Sequence, residues 1–250
     1  MARIVETRLT GKTAAVQSSP GQPLIEMKEV VKTFNNAAGE FTVLKGITVN
    51  ISQGEFVSIL GKSGSGKSTL VNMITGIDHP TSGKVCIRGT HVHQLSESQM
   101  AVWRGRNLGI VFQFFQLLPM LSLLENVMLP MDFSEQYDPA EREPRAMELL
   151  RLVELDQHAG QLPAAISAGQ QQTAAIARAL ANDPPIIVAD EPTGNLDSLT
   201  AESIFQIFTE LVNHGKTIVV VTHDPSLAER TSRSLIISDG MLVDEIRRTL

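Results

Sequence analysis

Gly61-Lys62-Ser63-Gly64-Ser65-Gly66-Lys67-Ser68-Thr69 is the run that decides the fold of this chain. It fits the pattern G-x-x-x-x-G-K-[ST] of a phosphate-binding loop. Its glycines let the backbone curl, so that successive N–H groups point at phosphate oxygens. A helix that starts behind the loop adds positive partial charge at its N-terminus. Lys67 is then placed for the β- and γ-phosphates of a nucleotide, and Ser68 for Mg²⁺. Average composition would give the pattern by chance in about 1% of chains this long. The bland alternative is a flexible Gly/Ser linker, and the flanks oppose it. Upstream, Phe56-Val57-Ser58-Ile59-Leu60 is short, apolar and β-branched, as a buried strand is. Downstream, Leu70, Val71, Met73 and Ile74 give a helix-like segment from about Lys67.

The same alternation continues on both sides. Residues 24–34 and 41–51 read as strands, set off by the turn residues Asn35-Asn36 and Gln53-Gly54. Residues 108–112 read as a strand, 140–155 as an amphipathic helix, and 168–181 as a helix opened by Ser167. Residues 185–189 form an apolar strand ending in Asp190-Glu191. In 199–212, Ile204, Phe205, Ile207, Phe208, Leu211 and Val212 have helical spacing. Residues 217–221 are a further buried strand, ending at Thr222-His223-Asp224. The pattern predicts an α/β core with a largely parallel sheet. Such sheets bind ligands at the carboxyl ends of their strands. The loop 61–68, Asp190-Glu191 and His223 all follow apolar strands, so a shared site is expected there. Asp190 can supply a carboxylate to a Mg²⁺ shell, and Glu191 can poise a water for attack. Alone, an Asp-Glu pair after a strand is more often a solvated strand end; the phosphate loop upstream reverses that reading.

Composition narrows the classes. The chain has 250 residues, 42% of them hydrophobic, enough for a real core. A net charge of −6 argues against a nucleic-acid binder, and none is expected as a partner. The single cysteine, Cys86, cannot form an internal disulfide, and Val85-Cys86-Ile87 suggests a small core residue rather than a reactive thiol. Residues 1–22 read as a flexible tail with no apolar h-region, so no signal peptide is expected. The uncharged stretch 108–124 carries Gln113, Gln116 and Pro119 and is short for a span, so it reads as strand, loop and helix start. The expected compartment is the cytosol. His91-Val92-His93 could put two imidazoles on one strand face, but no third metal ligand is nearby. Trp103 reads as a packed surface anchor.

Further runs carry a family resemblance. Val111-Phe112-Gln113, Ile166-Ser167-Ala168-Gly169-Gln170, Ala175-Ile176-Ala177-Arg178-Ala179-Leu180, Asp190-Glu191-Pro192-Thr193-Gly194, Asn195-Leu196-Asp197 and Thr222-His223-Asp224 come after the phosphate loop in that order. With it they resemble the Q-loop, signature, Walker B, D-loop and switch of ABC ATPase subunits, from about Leu24 to the C-terminus. The runs His79-Pro80-Thr81-Ser82-Gly83-Lys84, Phe112-Gln113-Phe114-Phe115-Gln116-Leu117-Leu118-Pro119 and Leu124-Glu125-Asn126-Val127-Met128-Leu129-Pro130 look most like subunits of lipoprotein-release, macrolide-export and cell-division complexes.

The resemblance implies a phosphate-loop NTPase (RecA-like) core over 23–250, with an antiparallel β subdomain and an inserted helical subdomain near 114–178. It implies ATP and Mg²⁺ as ligands, and hydrolysis to ADP and phosphate. The loop residues Gly61 to Thr69 would hold the phosphates, and Ser68, Gln113 and Asp190 the metal. Glu191 would activate water, His223 would hold the γ-phosphate, and Gln113 would sense it and relay to a membrane partner. Phe34 matches the aromatic that stacks on adenine; a strand core residue is its alternative. Ser167, Gly169 and Gln170, with Asp197, belong to a site completed by the opposite subunit, which makes a second ATPase subunit, identical or not, a partner. An integral membrane permease is the other partner, docking on 114–131 at the cytoplasmic face.

Two positions depart from the family pattern. Ala168 stands where the signature usually has its first glycine. In a first helical turn with ordinary φ a methyl is tolerable; at φ > 0, or against phosphate, it costs activity. Thr173 stands where the family commonly has Arg, which removes a positive charge beside the signature and leaves 160–177 uncharged. Three rival functions stay open: mechanical work without transport, a soluble ABC ATPase, and a weakly active subunit paired with a standard one.

Overall fold

The computed structural model describes residues 23–37, 39–194 and 196–248; the expected tail 1–22 and Asn195 lie outside them. Strands β1 (Ile25–Asn36) and β2 (Gly39–Ile51) pair antiparallel, with Ile25 opposite Ile51 and Phe34 opposite Phe41. β4 (Ser82–Ile87) adds to the other side of β1, followed by β5 (Thr90–His91), so this sheet reads β2-β1-β4-β5. It is the expected antiparallel subdomain.

The second sheet holds β3 (Phe56–Leu60), β6 (Leu108–Val111), β7 (Ile186–Asp190) and β8 (Thr217–Val221), extended by β9 (Arg233–Ser238) and β10 (Met241–Arg247). Its order is β10-β9-β3-β8-β7-β6, parallel except for β10. The central strands are mostly apolar because both faces are covered, with Ser58, Thr217 and Asp190 as their polar members. Successive side chains leave a strand on opposite faces. Ile186, Val188, Val219 and Val221 therefore pack toward the antiparallel sheet and helix α1 (Lys67–Thr75). Ile187, Ala189, Ile218 and Val220 pack the other way, on the core shared with α3 (Leu123–Ser134), α4 (Pro139–Leu152), α5 (Ala168–Ala179) and α6 (Ser198–Asn213). Phe56 anchors that second core, its ring 5.2 Å from Phe205 and 6.4 Å from Phe208. Burying such a side chain is worth about 1.5–3 kcal/mol. α3 and α4 lie inside the stretch 114–178, and α5 crosses its end.

Some expectations need correction. Cys86 is only half-buried rather than core, and burial pushes its thiol pKa up, which leaves little reactive thiolate. His91 ends β5, and Val92–Gln94 turns as a 3-10 helix, so the two imidazoles do not share a strand face. The His93 ring turns back to the Val85 carbonyl, 2.9 Å from Nδ1. Among the described residues no group of three or more His, Cys, Asp or Glu is placed to hold a metal ion. Helix α2 (Glu97–Asn107) and the β9–β10 hairpin were not foreseen. α2 buries only Met100, which leaves no apolar stripe to read. Its signal was the capping box, Ser96 with Gln99. The hairpin's signal was Asp239-Gly240, both at positive φ (47° and 75°), as a tight turn of this kind requires.

Candidate functional site

The phosphate loop joins β3 to α1 and needs its glycines for different reasons. Gly64 and Gly66 adopt φ of 78° and 104°, which side-chain-bearing residues avoid. A Cβ on Gly61 would stand 2.3 Å from the Ile237 carbonyl oxygen, so only glycine fits against β9. Gly240 braces the loop from outside, donating to Ser65 O at 3.0 Å and accepting from Lys45 N at 2.8 Å. Sequence reading missed that brace; the turn dipeptide was its signal. Lys67 folds back over the loop, and its Nζ donates to the carbonyls of Gly61 (2.8 Å) and Lys62 (2.9 Å).

A cavity of about 520 Å³ opens above the loop. Ser63, Gly64, Gly66, Lys67, Ser68 and Thr69 line its floor. Gln113, just beyond β6, Asp190 and Glu191 at the end of β7, and His223 beyond β8 line the rest. These are the carboxyl ends of adjacent parallel strands, where such a sheet puts its ligands. Val43 from β2 completes the wall, and nothing in the sequence marked it out.

The carboxylates differ in environment. The Asp190 carboxyl pKa is raised, chiefly because burial strips its solvent; the Ser68 hydroxyl bonds to it and pulls the other way, as does Lys67. Ser68 and Asp190 are hydrogen-bonded and Gln113 lines the same cavity, so the three could supply the oxygen donors a hard cation such as Mg²⁺ takes. Glu191 sits at φ 47°, unusual for a residue with a side chain, and costs on the order of 1–3 kcal/mol to hold there. Its N–H continues the ladder to the Val221 carbonyl at 2.9 Å, and its Oε2 lies 2.9 Å from His223 Nδ1.

The remaining predicted residues lie outside the cavity lining. Phe34 stands on β1, half-buried beside Phe41. Ser65 is buried within the loop, and among the described residues its hydroxyl has no hydrogen-bond partner. Ser167 caps α5: its Oγ accepts from Gln170 N (3.2 Å), and Gln170 Oε1 accepts from Ser167 N (2.9 Å). Ala168 is the first residue of that helix and is not among the positive-φ residues. A Cβ on Gly169 would fall 2.7 Å from Thr200 Cγ2. Thr200 Oγ1 in turn donates to Asp197 Oδ2 at 2.6 Å, so the signature-like run touches the cap of α6. Thr173 Oγ1 donates to the Gly169 carbonyl at 2.8 Å within the helix.

Helix α5 also grips the loop after Gln113, which the sequence did not reveal. Arg178 donates to the carbonyls of Phe115, at 2.7 Å, and Gln116, and both residues are at positive φ. Burial holds the Arg178 pKa below its usual range. Buried Asn126 bonds to Leu118 N at 2.7 Å and to the Leu121 carbonyl at 3.0 Å, which fixes the next stretch. Phe114, Leu118 and Met120 are exposed at 72%, 45% and 84%. Leu123, Val127 and Met131 are buried, so the apolar surface expected over 114–131 narrows to 114–120.

Comparison with known proteins agrees with this geometry. The sequence model of the ABC transporter family matches residues 44–194. The chain is 46% identical over 221 residues to the uncharacterized ABC transporter ATP-binding protein MJ0796 of Methanocaldococcus jannaschii, covering 87% of this chain and 94% of that one. It is 42% identical to the lipoprotein-releasing system ATP-binding protein LolD of Bacteroides fragilis, covering 88% and 100%. A solved dimeric post-hydrolysis state of the MJ0796 cassette, bound to ADP and Pi, superposes with a TM-score of 0.85 at 44% identity, covering 90% of this chain and 100% of that one. The phosphate loop, Asp190-Glu191 and His223 share one cavity, and with the family match and these relatives the chain belongs to the ABC transporter family of ATP-binding proteins.

Proposed function

We propose that the chain hydrolyses ATP to ADP and phosphate and couples that cycle to a separate membrane permease. The observation that carries this is the convergence of Lys67, the Ser68–Asp190 pair and the Glu191–His223 pair on one cavity. Lys67 leaves its loop carbonyls to hold the β- and γ-phosphates. Mg²⁺ held by Ser68, Asp190 and Gln113 would neutralise charge on those phosphates. Glu191 takes a proton from a water lined up with the γ-phosphorus, and the bond to the β–γ bridging oxygen breaks as the water oxygen attacks. His223 holds Glu191 through one carboxylate oxygen, leaving the other for the water, and its exposed ring can turn to the γ-phosphate.

Ser167, Gly169 and Gln170 act on the nucleotide of a second subunit, and Phe34 stacks on the adenine. The place of Ser167, Gly169 and Gln170 outside this chain's own cavity supports the first reading, and the pairing of Phe34 with β2, whose Val43 lines the cavity, supports the second. Among the described residues no helix is long and apolar enough to cross a membrane. Exposed Phe114, Leu118 and Met120 beside Gln113 supply a surface for a membrane partner at the cytoplasmic face. The dimeric MJ0796 structure and the lipoprotein-releasing relative support the assembly.

Glu191→Gln tests the chemistry. Phosphate release should fall by about 10²–10⁴, the usual contribution of a general base, while ATP binding persists and an ATP-bound dimer accumulates on size-exclusion chromatography. Turnover near that of the unaltered chain would remove Glu191 from the role of base. Membrane proteins captured with the trapped dimer should include a multi-span permease.

A further inference from the structure

Phe34 and Phe41 face each other across the β1–β2 ladder, rings stacked with centroids 5.7 Å apart and planes 28° from parallel. Their surroundings differ. Phe34 is half-buried, with Lys32 Nζ 4.8 Å from its ring centroid. That ammonium donates to Asp78 Oδ1 at 2.6 Å and to the His79 carbonyl at 2.9 Å. Asp78 comes after α1, and its N–H bonds to the Asn72 carbonyl of that helix. The inner ring is thus fixed to the far end of the helix whose first turn carries Lys67 and Ser68.

Among the described residues Phe41 has no such clasp, and 48% of it is exposed. It stands two residues before Val43, which lines the cavity although Phe41 does not. At about 3.3 Å per residue, Phe41 lies roughly 7 Å beyond that wall, on the way out from the phosphate loop. A nucleotide with its phosphates in the loop must carry ribose and base past Val43. The open aromatic surface it meets there belongs mainly to Phe41. The pair, one ring held by Lys32 and the other open, offers a base one continuous aromatic surface.

We propose that Phe41 is a second base-contacting residue, sharing with Phe34 a two-ring surface for the adenine, with Lys32 fixing the Phe34 ring. This rests on the readings of the cavity as a nucleotide site and of Phe34 as a stacking residue. Stacking depends on the base and not on the phosphates, so the two can be separated with ligands that are not hydrolysed. Affinities of the full chain for ADP and for inorganic pyrophosphate, with Mg²⁺, would be measured by calorimetry for the unaltered protein, Phe41→Ala, Phe41→Trp and Phe34→Ala.

Phe41→Ala should weaken ADP about tenfold and leave pyrophosphate unchanged, and Phe41→Trp should restore ADP binding. If Phe34→Ala weakens ADP and Phe41→Ala does not, Phe41 is no base contact, while the stacking role of Phe34 stands. If neither does, stacking on this strand pair is itself wrong. Equal loss of ADP and pyrophosphate in Phe41→Ala would mean general damage to the site and would also overturn the proposal.

Discussion

At the cavity, strand ends from a parallel sheet turn their polar groups inward. Lys67 rests on two carbonyls of its own loop, and Asp190 is held in a desolvated place that raises its pKa. At the start of α5 the groups turn outward. Ser167 is exposed, and the capping box with Gln170 already satisfies the helix end. The Ser167 hydroxyl accepts from Gln170 N, and its own proton remains free to donate outward. One region holds its charges in a cavity; the other presents a donor at the exposed surface to whatever lies across from it. A single chain can bind a polyphosphate with the first and needs a second surface to use the other. The split arises from topology, since the cavity is built at strand ends and the signature-like run at a helix start outside that cavity.

Lys67→Ala strikes the first region alone and should have the largest effect on nucleotide binding. A charge-assisted hydrogen bond to phosphate contributes about 1.5–3 kcal/mol, so ADP should bind roughly 10- to 100-fold more weakly. The capping box of α5 should persist, visible as unchanged thermal stability. An unfolded variant would mean that Lys67 matters more to the loop through its two carbonyl bonds than to the ligand.

Gly169→Ala strikes the second region alone. The new methyl would stand 2.7 Å from Thr200 Cγ2, and Thr200 is held by its bond to Asp197. Overpacking of this kind costs about 1–3 kcal/mol, so the ATP-trapped dimer of the Glu191→Gln chain should weaken by about tenfold or more. ADP binding to the isolated chain should not change. Thr200→Ser removes the clashing methyl, keeps the hydroxyl bonded to Asp197, and should return part of the dimer. Loss of ADP affinity in Gly169→Ala would show that the two regions are not independent.

The two regions were also unequally legible. The cavity could be read because its residues are contiguous in the loop or stand directly after apolar strands, so that local pattern and tertiary position coincide. Val43 and Gly240 were not legible, because they reach the loop from β2 and the β9–β10 turn through strand pairing and backbone hydrogen bonds. The α5 end was legible as a motif and a cap, but not its contact with Thr200 or the grip of Arg178 on Phe115 and Gln116. Those contacts join segments far apart in the chain, and no periodicity encodes them. The apolar run 114–131 misled in part: Leu123, Val127 and Met131 share its composition with exposed Phe114 and Met120, and only packing tells them apart.

Ala168→Gly should have the smallest effect and sharpens the comparison most finely. The family pattern places glycine there, and two physical reasons could require it: positive φ, or close approach of backbone to phosphate. The first is absent, because Ala168 starts α5 without positive φ. The second concerns only a ligand brought from outside, since Ala168 is exposed and lies outside the chain's own cavity. Replacing Ala by Gly in a helix costs up to about 1 kcal/mol, less in a first turn already held by the Ser167–Gln170 box. Thermal stability should therefore fall slightly, while phosphate release and the trapped dimer should stay near those of the unaltered chain. A clear rise in turnover would mean that the methyl stands between the helix start and an opposing phosphate, and that the altered signature acts as a brake on a site the chain completes for its partner.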